Sequence, residues 1–215
     1  MDHHQSEYVE VEAGGNRIWC TYPAVGSPFV LWCTEPIEGR FYKILDCTAF
    51  DKRPMGGAVW LRALHNTYAA YAAALDTTEP VPQALLPAEL LYGAFELAVS
   101  MRFAGNRTVD EVALCEEGVG LDAIVPAIVW LARRRLMYVD LRGRNIVTDD
   151  TDGRFYLVDY DDMVLLEEPA TDAETLLREM RKDAQTNQYV CALDLIGQLQ
   201  RRIEECYSEA AQAVC

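Results

Sequence analysis

The sequence predicts an α+β fold, rich in β structure over roughly its first hundred residues and rich in helix beyond them. Three observations carry that reading. Aromatic and β-branched runs separated by Gly and Pro turns fill the N-terminal part. From Thr108 onward apolar residues recur at helical spacing. Within that second part, 137–164 reads MYVDLRGRNIVTDDTDGRFYLVDYDDMV, with polar residues where short apolar runs end.

Each element has its own warrant. Residues 1–7 read as a loose polar lead. Asn16 to Pro23, Phe29 to Glu35 and Arg40 to Asp46 have strand composition, and Pro36-Ile37-Glu38-Gly39 is a hairpin turn between the last two. Asp51 to Gly57 is a polar break. A helix follows from Ala58 to Leu75, where Leu61, Leu64, Tyr68, Tyr71 and Leu75 recur at spacings of three and four. Pro80, Pro82 and Pro87 end it, and Glu89 to Tyr92 and Phe95 to Arg102 read as two more strands around Gly93. Thr108 followed three places on by Glu111 is a capping-box signature. A helix over Leu121 to Leu136 carries Ile124, Ile128 and Leu131 on one face and arginines in its last turn, which suits the helix dipole. Asp172 to Lys182 and Tyr189 to Tyr207 are the last helices, the second striped by Leu193, Ile196, Leu199, Ile203 and Cys206 as a core-packing face. The texture changes near Arg102 to Gly105, which divides the chain into 1–104 and 105–215.

Composition narrows the function classes. A chain of 215 residues that is 51% hydrophobic can bury a substantial core. Its net charge of −15 disfavours nucleic acid or an anionic membrane as main partner. The most apolar run, Ala69 to Leu75, falls short of the ~18 residues of a membrane helix. Residues Met1 to Gln5 have no apolar run of a secretory signal. The seven cysteines are scattered and never form C-x-x-C, as expected of reduced thiols in an intracellular, cytoplasmic protein.

The chemistry concentrates in 137–164. Asp140, Asn145 and Asp159 read as oxygen donors on two short strands joined by a turn, a set suited to a hard divalent cation and a phosphate-bearing nucleotide. Phosphoryl transfer asks the protein for little covalent chemistry. It needs a metal, neutralised phosphates and a group that orients the attacking hydroxyl. Asp140 opens a short loop, Asn145 follows five residues later, and Asp159 follows the apolar run Phe155 to Val158. That spacing resembles the catalytic loop and metal-binding Asp of the protein-kinase-like superfamily, nearer to aminoglycoside phosphotransferases, atypical kinases or the compact kinase domains of crinkler-type effectors than to standard protein kinases.

The resemblance implies a bilobal fold with a β-rich N-lobe over 1–104, a reduced α-helical C-lobe over 105–215, and ATP and Mg as cofactors. It implies Asp140 as base, Asn145 and Asp159 as metal ligands, and Lys43, on the third strand, as the contact to nucleotide phosphates. Read without it, Lys43 is an ordinary snorkelling strand residue. Ala24-Val25-Gly26-Ser27-Pro28 stands where the family has its phosphate-covering loop, and one glycine there equally makes an ordinary turn. Met101-Arg102-Phe103-Ala104-Gly105 resembles the gatekeeper and the hinge that receives adenine; a strand followed by a turn reads the same way. Arg142 and Arg144 match positions that steady the transferred phosphate, or are surface partners of the carboxylates.

The departures are specific. Tyr138-Val139 replaces His-Arg, and Asp159-Tyr160-Asp161-Asp162 lacks the glycine of D-F-G. Asp161 is either a second metal ligand or a solvated turn carboxylate. The helix over 58–75 contains no acid to pair with Lys43, and about 45 residues after Pro169 leave no room for a regulated activation lobe. The expectation is a phosphotransferase acting on a small-molecule hydroxyl or a protein. Its rivals are a pseudokinase that binds nucleotide or a partner, and an acidic structural domain.

Overall fold

The computed structural model describes residues 8–13, 15–21, 30–33, 36–45, 57–91, 97–149, 151–187 and 190–212. It is a mixed α and β structure that divides into two compact units, 1–72 with 87–103, and 73–86 with 104–215. The sequence reading made 1–104 one continuous stretch; the segment 73–86 belongs instead to the second unit. Leu157 N–H donates to Ala84 O at 2.9 Å, and Leu86 N–H donates to the Tyr160 hydroxyl at 3.1 Å.

The first unit is an antiparallel sheet of six strands: β1 Tyr8–Ala13, β2 Asn16–Thr21, β3 Val30–Cys33, β4 Arg40–Leu45, β5 Ala88–Leu91 and β6 Leu97–Arg102. Their order is β1-β2-β3-β4-β6-β5. β1 went unread in the sequence because Glu10 and Glu12 make it look polar. They alternate with Val11, which is buried, as a half-exposed strand requires. Lys43 therefore lies on the fourth strand, not the third. At the expected turn, Ile37 and Arg40 exchange both backbone hydrogen bonds (3.0 and 2.9 Å), while Glu38 and Gly39 both take positive φ (51° and 75°). Two left-handed central residues match the right-handed twist of the flanking strands. Val11, Ile18, Cys20, Cys33, Tyr42, Ile44 and Ala98 form the core on one face. Helix α1, Gly57–Leu75, buries Leu64, Tyr68 and Tyr71 of its stripe.

The second unit is more than a set of helices. Helices α2 Leu121–Ala132, α3 Ala173–Asn187 and α4 Val190–Gln212 accompany two small antiparallel sheets. One joins β7 Arg107–Thr108, β9 Ile146–Thr148 and β10 Phe155–Leu157 in the order β10-β9-β7; the other pairs β8 Leu136–Met137 with β11 Val164–Leu165. The capping box does not form, because Thr108 sits in β7. Asp110 caps the turn instead, its Oδ1 accepting from Val112 N–H (2.9 Å) and Ala113 N–H (3.2 Å). The helix predicted to reach Leu136 stops at Ala132, and Arg135 takes φ 66° and turns the chain into β8. Arg135 and Leu166 exchange backbone and side-chain bonds there: Leu166 N–H to Arg135 O and Arg135 Nε to Leu166 O, both 2.9 Å. α2 packs on α4, β8 and β10. Its Ile124, Ile128 and Leu131 are fully buried, as are Leu195, Leu199 and Ile203 of α4.

Among the described residues no helix is long and apolar enough to cross a membrane. Ile128→Ala should cost about 2–5 kcal/mol in urea unfolding, because it empties a closed core position. Val112→Ala, at a side chain 59% exposed, should stay within about 0.5 kcal/mol of wild type.

Candidate functional site

The site is built where β8 runs out. Strand β8 holds its register against β11, with Met137 opposite Val164 and Leu136 opposite Leu165. Beyond it the chain leaves regular structure. Leu141 N–H bonds back to Val139 O at 2.9 Å, a three-residue turn centred on Asp140. A single 3₁₀ turn, Gly143–Asn145, then delivers the chain into β9. Asp140 and Asn145 are thus in a loop and a turn, and Asp159 follows the end of β10; none of the three is within a strand.

Asn145 binds Asp140 twice. Its Nδ2 donates to Asp140 O at 2.9 Å and to Asp140 Oδ2 at 2.8 Å, and both residues are buried. Committing the amide nitrogen leaves Oδ1 as the ligand atom of that side chain, and a neutral oxygen is what a hard cation accepts. Arg142 Nε lies 2.8 Å from Asp140 Oδ1 as an ion pair without hydrogen-bond alignment. Arg144 reaches Asp140 Oδ2 at 3.7 Å from an exposed position. The structure therefore brings Asp140, Arg142, Arg144 and Asn145 together.

Asp159 is attached to this group through the residue before it. Val158 N–H donates to Asn145 O at 2.9 Å, and the Tyr138 hydroxyl donates to Val158 O at 2.6 Å. Asp159 itself is half-buried with φ 61°. A non-glycine residue in that left-handed region costs of order 1 kcal/mol or more and persists where its surroundings hold it. Tyr160 supplies part of the hold. It is fully buried, its hydroxyl donates to Leu157 O at 2.7 Å, and its ring meets Tyr138 edge-on at 6.1 Å between centroids. Burial pushes the Tyr138 hydroxyl well above its ordinary value of 10, and the carboxylates of Asp159, Asp140 and Asp162 add to the rise. The acids of the two loops thus share one neutral buried phenol.

Asp161 is half-buried in the turn after Tyr160. Among the described residues no group of three or more His, Cys, Asp or Glu side chains is gathered to hold a metal. Mg²⁺ is commonly held by one or two carboxylates, with phosphates and water completing its shell. The remaining candidates belong to the first unit. Lys43 on β4 is buried at 7% exposure, opposite Val99 of β6. Met101 is buried on β6, and the Phe103 N–H, one of the expected hinge donors, is bonded to Gly39 O at 2.7 Å. Gly26, with Asp46 and Asp51, lies outside the described residues.

Sequence reasoning missed one participant. Glu111 Oε2 accepts the Gly143 N–H at 2.6 Å, inside the Asp140 loop. Its partner is 32 residues away, so no local pattern could have pointed to it. No model of a known protein family matches the chain, and no curated protein matches it.

Tyr138→Phe should cost about 1–3 kcal/mol near neutral pH, by leaving the Val158 carbonyl without its donor. The folded protein holds the Tyr138 proton more tightly than the unfolded chain does. That share of stability is whole below pH 10 and is lost as pH rises above it toward the folded-state value. Denaturant unfolding at about pH 8 and about pH 11 should therefore show the gap between wild type and variant narrowing with pH. A gap that stays constant would count against the buried, neutral phenol.

Proposed function

We propose that the protein is an ATP- and Mg-dependent phosphotransferase of kinase-like type, acting on a hydroxyl of a small molecule or a protein. The observation that carries this reading is the double hydrogen bond from Asn145 to Asp140, with Asp159 tied to the same loop through Val158. The sheet-rich first unit and the helix-rich second unit each have the content that a kinase-like N-lobe and a reduced C-lobe call for, and the second carries the two loops.

On this reading Asp140 orients the attacking hydroxyl and takes its proton. Asn145 fixes the carboxylate so that it does not rotate away, and the desolvated loop strengthens that grip. Arg142 and Arg144 flank the carboxylate and offer positive charge to a transferring phosphate. Asn145 Oδ1 and the Asp159 carboxylate are the metal ligands, with Asp161 as the third candidate. Bound Mg²⁺ supplies charge neutralisation on the phosphate oxygens. Lys43 and Met101 take the nucleotide roles that the kinase resemblance gives them, whereas Phe103 already spends its N–H on Gly39 O and would have to release it to serve as a hinge donor.

A second reading has its own observation. Both carboxylate oxygens of Asp140 are already engaged within the chain, by Arg142 and by Asn145. A pseudokinase that binds nucleotide without turning it over would keep this closed arrangement.

ATP hydrolysis or transfer with Mg²⁺ separates the two. Wild type should exceed Asp140→Ala and Asp159→Ala by about 10²-fold or more, the usual contribution of a positioned acid or base. Wild-type turnover no higher than either variant would remove the enzyme reading. A rise in melting temperature with Mg-ATP would then favour the pseudokinase, since a ligand of the native state stabilises it.

A further inference from the structure

Glu111 was expected to cap a helix, and the structure gives that task to Asp110. The Glu111 side chain turns elsewhere, to the backbone of the Asp140 loop. Its Oε2 accepts the N–H of Gly143 at 2.6 Å, a short bond of the kind a charged acceptor makes. Gly143 opens the 3₁₀ turn that ends at Asn145, and Asn145 N–H closes that turn on Arg142 O at 2.9 Å. Just past the turn, Val109 N–H donates to Ile146 O at 3.0 Å. The segment 109–111 therefore brackets 143–146 from both ends.

The approach is backbone to backbone. A Cβ on Gly143 would stand 2.4 Å from Val109 O and 2.9 Å from Glu111 Oε2, so only glycine fits. Glu111 Oε1 is buried with no hydrogen-bond partner. A carboxylate oxygen shut away without a partner is a costly way to gain stability alone, and such exceptions in a folded protein ask for another role.

We propose that Glu111 is a positioning residue: its acceptor oxygen fixes the Gly143 peptide and, through the 3₁₀ turn, the aim of Asn145 and Asp140. The catalytic consequence rests on the phosphotransferase reading, while the placement of the loop does not. A neutral acceptor of the same length should preserve the bond, and truncation should release the turn.

The test compares full-length wild type, Glu111→Ala and Glu111→Gln by amide hydrogen exchange and by ATP turnover with Mg²⁺. Glu111→Ala should speed exchange at Gly143 and Asn145 about tenfold, the value of one net hydrogen bond, with the amides of α2 unchanged. Glu111→Gln should stay within about threefold of wild type at the same amides. In turnover Glu111→Ala should lower kcat about tenfold with KM for ATP nearly unchanged, and Glu111→Gln should recover most of it. Unchanged exchange in Glu111→Ala would overturn the proposal. So would a uniform rise that includes α2, or a Gln variant as impaired as Ala. Local exchange as expected, in a wild type no more active than Asp140→Ala, would support the placement and overturn the phosphotransferase reading.

Discussion

The arrangement of the second unit depends on how the peptide groups of Val158 are held. Its N–H goes to Asn145 O and its C=O receives the Tyr138 hydroxyl. These two bonds join the end of β10 to the loop after β8. Together with the β9–β10 pairing, in which Leu157 stands opposite Ile146, they hold Asp140 and Asp159, 19 positions apart in sequence, in one frame. The β8–β11 pair and the reciprocal Arg135–Leu166 bonds set the frame's outer edge, and the buried faces of α2 and α4 lie behind it.

Electrostatics follow from that frame. Asp140 is buried, so its charge needs compensation, and Arg142, Arg144 and the Asn145 amide provide it within a few ångströms. Tyr138, buried beside carboxylates of both loops, stays protonated and so can keep donating to Val158 O. The strained φ of Asp159 is held beside a pinned peptide and a buried Tyr160 whose hydroxyl is fully used. Tight hydrogen bonding and stored strain in adjacent residues are a common signature of functional loops.

Much of this was legible from the sequence where the signal was local. The period-three-and-four stripes marked α1, α2 and α4, and Pro36-Ile37-Glu38-Gly39 marked a hairpin turn, in which the structure puts Glu38 and Gly39 at positive φ. The spacing of Asp140 and Asn145 pointed to one loop, and the structure bonds them directly. What escaped depends on distant partners. Glu111 looks like a cap residue until Gly143 is placed beside it. Strand β1 hides behind its alternating glutamates, and 73–86 reads only as a helix end followed by prolines until Ala84 and Leu86 are seen bonding to 157–160. Helix α2 read too long because the arginines after Ala132 suit a last helical turn. The left-handed Arg135 and its bonds to Leu166 are tertiary choices.

On the proposed phosphotransferase reading, Asn145 and Asp159 present oxygens to one divalent cation. Mn²⁺ in place of Mg²⁺, followed by paramagnetic resonance with ATP present, reads that site without requiring turnover. Wild type should bind Mn-ATP saturably, and the paired substitution Asn145→Ala with Asp159→Ala should weaken binding by about tenfold or more, the usual loss when ligands or their supports are removed. Equal binding by both proteins, each folded, would contradict the account.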